Sequence, residues 1–121
     1  MSLIEFEEEK RQSFQGRNKL DGFILVSYWS DSKSKIDFTV NNSENENLKD
    51  ILEFKIGENY IVKYSYGANL RAYLPPKDDY SYKTIHETAL IQNLSQGTKI
   101  KLIDPLIRYS YTDYWARVQV V

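Results

Sequence analysis

Phe23-Ile24-Leu25-Val26-Ser27-Tyr28-Trp29 and, five residues on, Lys35-Ile36-Asp37-Phe38-Thr39-Val40 are the stretches whose reading decides the fold. The first is β-branched and aromatic, lies between Gly22 and Ser30-Asp31-Ser32, and predicts a strand buried on both faces for part of its length. The second alternates. Ile36, Phe38 and Val40 fall on one face and Lys35, Asp37 and Thr39 on the other, the period of a half-buried strand. A Ser30–Ser34 loop joins them as a hairpin.

Outward from this pair the same grammar repeats. Asn41–Asn47 has no apolar residue and predicts a solvated loop. Leu48–Ile56 carries both periods. Leu48, Ile51 and Leu52 have helical spacing, whereas Leu52, Phe54 and Ile56 alternate, so a turn of helix around Glu46–Ile51 running into a strand to Ile56 is expected. Gly57-Glu58-Asn59 then turns the chain into Tyr60–Tyr66, with Tyr60, Val62, Tyr64 and Tyr66 on one face. Leu70–Leu74 predicts a short strand ended by Pro75-Pro76, because proline removes a ladder donor and restrains its predecessor. Lys77–Tyr82 reads as a loop and Thr84–Leu94 as a brief strand or an irregular crossing. Thr98–Asp104, Leu106–Tyr111 and Tyr114–Val121 complete the strands, the last two turning at Thr112-Asp113. Ile36, Phe38, Val62, Leu70, Ile100, Leu102 and Val118 are the expected core, and Trp29 and Trp115 are expected to join it, Trp115 alternatively walling a groove.

The fold class that follows is all-β: a small antiparallel barrel or compact sandwich. The chain of 121 residues accommodates one such domain over 20–121, preceded by a polar arm at 1–19. Membrane-span length is nowhere approached, and the acidic start, Met1-Ser2-Leu3-Ile4-Glu5-Phe6-Glu7-Glu8-Glu9, does not resemble a secretory signal. A cytoplasmic location is therefore expected over a secreted one.

Charge and chemistry narrow the function. Residues 1–56 carry eight basic and eleven acidic side chains, and residues 57–121 carry eight and six, so neither half forms the basic stripe of a phosphate binder. With no cysteine, thiol chemistry and disulfides are excluded. His86 is the only histidine, and its neighbour Glu87 does not complete a metal cluster. Asp78, Asp79, Asp104 and Asp113 read as solvated turn carboxylates. Nucleotide-binding glycine motifs, nucleophile elbows and zincin helices are all missing. The chain is thus read as non-enzymatic, without cofactor or metal.

What it has in excess is tyrosine: ten, against five phenylalanines. Tyrosine suits half-wet positions and interface centres. Tyr80 and Tyr82, set among Ser81, Asp78 and Asp79, predict either a contact loop or one packed back onto the barrel. Tyr109 and Tyr111, with Tyr114, Arg108 and Arg117, cluster near the last turn.

Ala68-Asn69-Leu70-Arg71, Pro75-Pro76, Leu94-Ser95-Gln96-Gly97-Thr98-Lys99-Ile100-Lys101-Leu102 and Tyr114-Trp115-Ala116-Arg117-Val118 together resemble a bacterial SH3-type domain over Tyr60–Val121. In this chain Asn69 and Leu70 are swapped relative to the family order, the family's glycine-tryptophan ending is missing, and residues 1–59 have no counterpart. The resemblance implies an SH3-like barrel that binds peptides, often cell-wall crossbridges, or serves as a docking unit. It makes Tyr64, Tyr66 and Tyr80 groove walls. The binding residues expected are thus Tyr64, Tyr66, Tyr80, Tyr82, Tyr109 and Tyr111, for a protein or peptide partner. Two other readings stand beside this one. One is an acidic inhibitor of a nucleic-acid-binding enzyme, using Glu7–Glu9 and Glu44–Asp50. The other is a barrel for single-stranded nucleic acid, using Tyr64, Tyr66, Arg71, Arg108 and Tyr109.

Overall fold

A computed structural model describes residues 20–121. The expected arm at 1–19, with Glu7–Glu9, lies outside the described residues. The rest is an all-β, curled antiparallel sheet. Its strands are β1 (Asp21–Ser30), β2 (Lys35–Phe38), β3 (Val40–Asn41), β4 (Asn59–Val62), β5 (Ala68–Arg71), β6 (Leu90–Leu94), β7 (Lys99–Leu102), β8 (Ile107–Arg108) and β9 (Tyr114–Val120).

Strand β1 organises the sheet. Along one edge it takes β9, from Asp21 opposite Gln119 to Ser27 opposite Tyr114. Its other edge is divided between β5, through Phe23 opposite Arg71, and β2, through Ser27 opposite Phe38 to Ser30 opposite Lys35. The β1–β2 hairpin is the one expected.

Thr39 is where the second strand changes partner. Its N–H donates to Val26 O at 3.0 Å and its Oγ1 donates to Leu25 O at 2.6 Å, both on β1. Its carbonyl accepts from Lys63 N at 3.0 Å, and β3 then pairs with β4. From there β4 pairs with β7, β7 with β9, and β9 with β1, so the pairings run in a circuit. Thr39 uses both backbone groups and its hydroxyl in this bend, leaving no orphaned polar group.

Inside the curl, Ile24, Val26, Phe38, Val40, Tyr60, Val62, Leu70, Leu94, Ile100, Leu102 and Val118 are buried, and Trp115 is buried on the other face of β9, opposite Leu25. Of the expected core only Ile36 is missing, at 37% exposed, because it lies next to the hairpin turn beyond the curl. Trp29, 48% exposed, also differs from expectation. Its cross-strand partner is Ile36, which is itself exposed.

Two segments differ in secondary structure. Leu48–Ile56 gives only a turn of 3-10 helix at Ile51–Glu53, capped by the Asp50 side chain, and no strand. Phe54 turns inward instead, stacking between Phe38 and Tyr60 with ring centroids 6.0 and 4.8 Å away. The second is α1 (Tyr82–Glu87), where the end of a loop and then a brief strand or irregular crossing are expected; a strand forms only at Leu90–Leu94. Its start is a capping box: Ser81 Oγ accepts from Thr84 N, and Thr84 Oγ1 accepts from Ser81 N. Strand β4 is also shorter than the expected Tyr60–Tyr66. The chain leaves the ladder after Val62 and folds back at Gly67, which donates its N–H to Tyr64 O at 3.0 Å. Gly67 has φ 83°, and a Cβ there would lie 2.4 Å from Leu94 O, so only glycine fits.

Candidate functional site: a tyrosine-walled cleft

The tight return at Gly67 and the short helix α1 face each other across the polar side of β1 and Thr39. Between them is a cleft of about 550 Å³. The turn supplies Tyr64 and Tyr66, the helix and its approach supply Tyr80, Tyr82 and Ile85, and the strands supply Leu25, Tyr28, Thr39, Arg71 and Trp115.

Four of the six tyrosines expected from sequence therefore share one surface. Tyr64 and Tyr66 stack, with centroids 5.1 Å apart and planes within 5°. Tyr66 and Tyr82 are 72% and 80% exposed, so large ring faces remain in solvent at the cleft. Tyr109 lies behind the wall. Its ring packs on Tyr80 at 4.8 Å and its hydroxyl donates to Pro75 O at 2.6 Å. Tyr111 is elsewhere. It is exposed, under the Arg108 guanidinium, and borders a separate depression with Ile36 and Phe38.

Two hydrogen-bonded chains hold the walls. At one end Tyr64 donates to Asp37 Oδ2 at 2.7 Å. Its only proton is thereby used, so the 2.7 Å contact with Tyr28 has Tyr28 as donor. Asp37 also accepts from Lys33 Nζ at 2.9 Å, Lys63 Nζ at 3.3 Å and the Phe38 N–H at 3.0 Å. Burial acts to raise the Asp37 pKa. The hydrogen bonds from Tyr64, Lys33 and Lys63 outweigh it and hold this carboxyl well below the usual carboxylate range. Burial, then the bonds to Tyr28 and Asp37, push the Tyr64 phenol far above its ordinary value. Burial likewise raises Tyr66.

At the other end Trp115 Nε1 donates to Tyr80 Oη at 3.0 Å, and Tyr80 donates to Asp113 Oδ2 at 2.6 Å. Burial first, then the bond to Asp113, raises the Tyr80 phenol. Trp115 is 1% exposed and is the largest fully buried side chain, so it belongs both to the core and to the cleft lining.

Sequence reading missed Tyr28 and Asp37, and named Arg71 only as the flank of a nucleic-acid platform. Asp37 had been assigned to a solvent face of its strand, yet it is only 4% exposed. The hairpin register carried the signal. Counting back from the turn places Tyr28 opposite Asp37, which puts an acid among the tyrosines. Arg71 follows buried Leu70 at a register shift, and nothing local marks it.

His86 is exposed with its ring against Tyr82, and Asp104 pairs with Arg117. Among the described residues no three His, Cys, Asp or Glu side chains are placed to hold a metal ion. No described helix is long and apolar enough to cross a membrane. Comparison with protein families, curated proteins and solved structures finds no significant match, so the cleft is interpreted from its own residues.

Proposed function

We propose that this protein is a non-enzymatic binding module whose tyrosine-walled cleft takes an extended segment of a partner protein. The observation that carries the reading is the convergence of Tyr64, Tyr66, Tyr80 and Tyr82 on one cleft with Tyr28 and Trp115. Aromatic walls bury large areas at low ordering cost, and the two hydrogen-bonded chains fix Tyr64 and Tyr80 in advance, which lowers the entropic cost of binding. An open cleft of this volume suits a few side chains of an extended chain. A bacterial SH3-type relationship is part of the proposal. It is supported by the placement of Gly97–Leu102 and Tyr114–Val118 on neighbouring turns and strands of the circuit.

The nucleic-acid alternative loses support at the stacked pair Tyr64 and Tyr66. Lys33 and Lys63, the cations nearest the stacked tyrosines, are both spent on Asp37. The acidic-inhibitor reading retains Glu44 and Glu46, of which Glu46 is engaged locally with Asn42.

The test is selection of short random peptides against the intact protein, followed by calorimetry on the best binder. Tyr66→Ala and Tyr82→Ala should each weaken it by at least tenfold, as truncation of a hot-spot tyrosine costs about 2 kcal/mol or more. Selected binders that both variants hold as tightly as wild type would place the functional surface elsewhere.

A further inference from the structure

Arg71 is a charge looking for a partner. Its residue is 5% exposed, deeper than any other arginine or lysine described. Among the described residues its guanidinium has one hydrogen bond, from Nη1 to Thr88 O at 2.8 Å, at the C-terminal end of α1. Among the described residues no carboxylate lies within ion-pair distance of it. Guanidinium has five N–H donors, and a buried cation left with one neutral acceptor is costly. Burial also depresses its pKa, the direction expected where no anion offsets the loss of water.

Among the described residues the cleft does not supply that anion from its own side chains. Asp37 is held by Lys33, Lys63 and Tyr64. Asp113 accepts from Tyr80 on one oxygen and from Thr112 on the other. Every carboxylate on the cleft is thus committed, and the one uncommitted ion is positive.

We propose that the segment bound in the cleft carries a carboxylate that pairs with Arg71, so that the module selects acidic peptides. The inference rests on the peptide-binding reading above. Tyrosine rings supply the contact area, and the Arg71 fork supplies direction, because a carboxylate accepts two parallel N–H bonds from guanidinium in one orientation only. Much of the water has already been removed from Arg71 by burial, so less of the pairing energy is spent on desolvating it. The carboxylate can be an Asp or Glu side chain or the end of the peptide chain, since both present the same two oxygens.

Randomised peptides with free C-termini, selected on the intact protein, provide the probe. The best binder is then remade in three forms: acidic side chains replaced by their amides, the C-terminus amidated, and both together. One of the two single replacements should lose tenfold or more in affinity, the combined form losing as much, and which single replacement does so identifies the source of the carboxylate. With Arg71→Gln, the acidic and neutral forms should bind equally. Arg71→Met separates function from folding. Removal of a buried, singly bonded charge should leave its denaturant midpoint at or above that of wild type while abolishing the acidic preference. Affinity that ignores the carboxylate in wild type, a preference that survives in Arg71→Gln, or a sharply lowered midpoint in Arg71→Met each overturns the proposal. In the first two cases sensitivity to Tyr66→Ala would leave the peptide-binding reading standing. If no selected peptide responds to Tyr66→Ala, that reading falls and takes this inference with it.

Discussion

The two ends of the cleft use the same bond for different purposes. Tyr64 gives its hydroxyl proton to Asp37, and Tyr80 gives its own to Asp113, at 2.7 and 2.6 Å. Behind Asp37 stand two lysines and a second tyrosine. Behind Tyr80 stands the buried indole of Trp115, with Tyr109 packed on both rings. One end is therefore an ionic knot at the surface of the sheet. The other is an extension of the apolar core that happens to finish in a hydroxyl. The contrast teaches that exposure of neighbouring tyrosines says little about what anchors them.

The contrast breaks hardest at Trp115. Trp115→Ala should cost about 3–5 kcal/mol, because a fully buried indole leaves a cavity and strands the Tyr80 hydroxyl. Chemical denaturation reads this as a lowered midpoint. A near-wild-type midpoint would show that the Trp115 end is a wall with no share in the core.

Next comes the ionic knot. Asp37→Asn keeps an acceptor for Tyr64 but loses both ion pairs, at about 1.5–2 kcal/mol, since the lysines retain some access to solvent. Its pH signature is more telling. The Asp37 pKa in the fold lies below its ordinary 3.8, so its contribution is fully present above about pH 4. That contribution declines as pH falls toward the lower, folded value. Acid titration of stability should therefore be flatter in Asp37→Asn than in wild type. Equal slopes would deny Asp37 its place as the charged anchor.

A smaller effect separates the two hydroxyls. Tyr80→Phe leaves the Trp115 N–H without its partner and should cost about 1–2 kcal/mol. Tyr64→Phe leaves Asp37 its lysines, and should cost about 1 kcal/mol or less. Melting of the two variants side by side checks the order, and reversal would mean that the ionic end depends on Tyr64 more than on its cations. At the alkaline limb both phenols behave alike. Each has a folded pKa raised above the ordinary 10, so the stabilisation is complete below pH 10 and is lost as pH rises further.

Smallest of all should be Tyr66→Ala, within about 0.5 kcal/mol in stability, since its ring is largely in solvent. Its effect belongs to binding.

Alternation made the core readable. Phe38, Val62, Leu70, Ile100, Leu102 and Val118 each repeat at spacing two within a strand, and each is buried. Polar residues on the opposite faces were legible only as polar. Asp37 looked solvated because periodicity reports which face a residue occupies, not what later folds over that face. Lys33, Lys63 and Tyr64 close over it, the last two from the segment that turns at Gly67, where the signals are mixed. The Ser81–Thr84 capping box was there to be seen, but a helix of six residues leaves too short a period to compete with Pro75-Pro76 and the loop composition around it. Tyr80 and Tyr82 reached the same surface as Tyr64 and Tyr66 only through that helix, whereas Tyr109 was drawn behind the wall by the Pro75 carbonyl.

The placement of β1 against β9 also bears on how the chain acquires its shape. Asp21 and Arg117, joined at 2.6 Å, are separated by 96 positions in the sequence. Partners so distant make contact order high and nucleation slow. During synthesis β1 meets β2 soon after both emerge, but the edge that β9 will take stays open until Arg117, 96 positions after Asp21, has followed. A vectorially growing chain of this kind has no stable halfway house, and a chaperone that shields Phe23–Trp29 should raise the yield of folded molecules more than one that acts on the later strands.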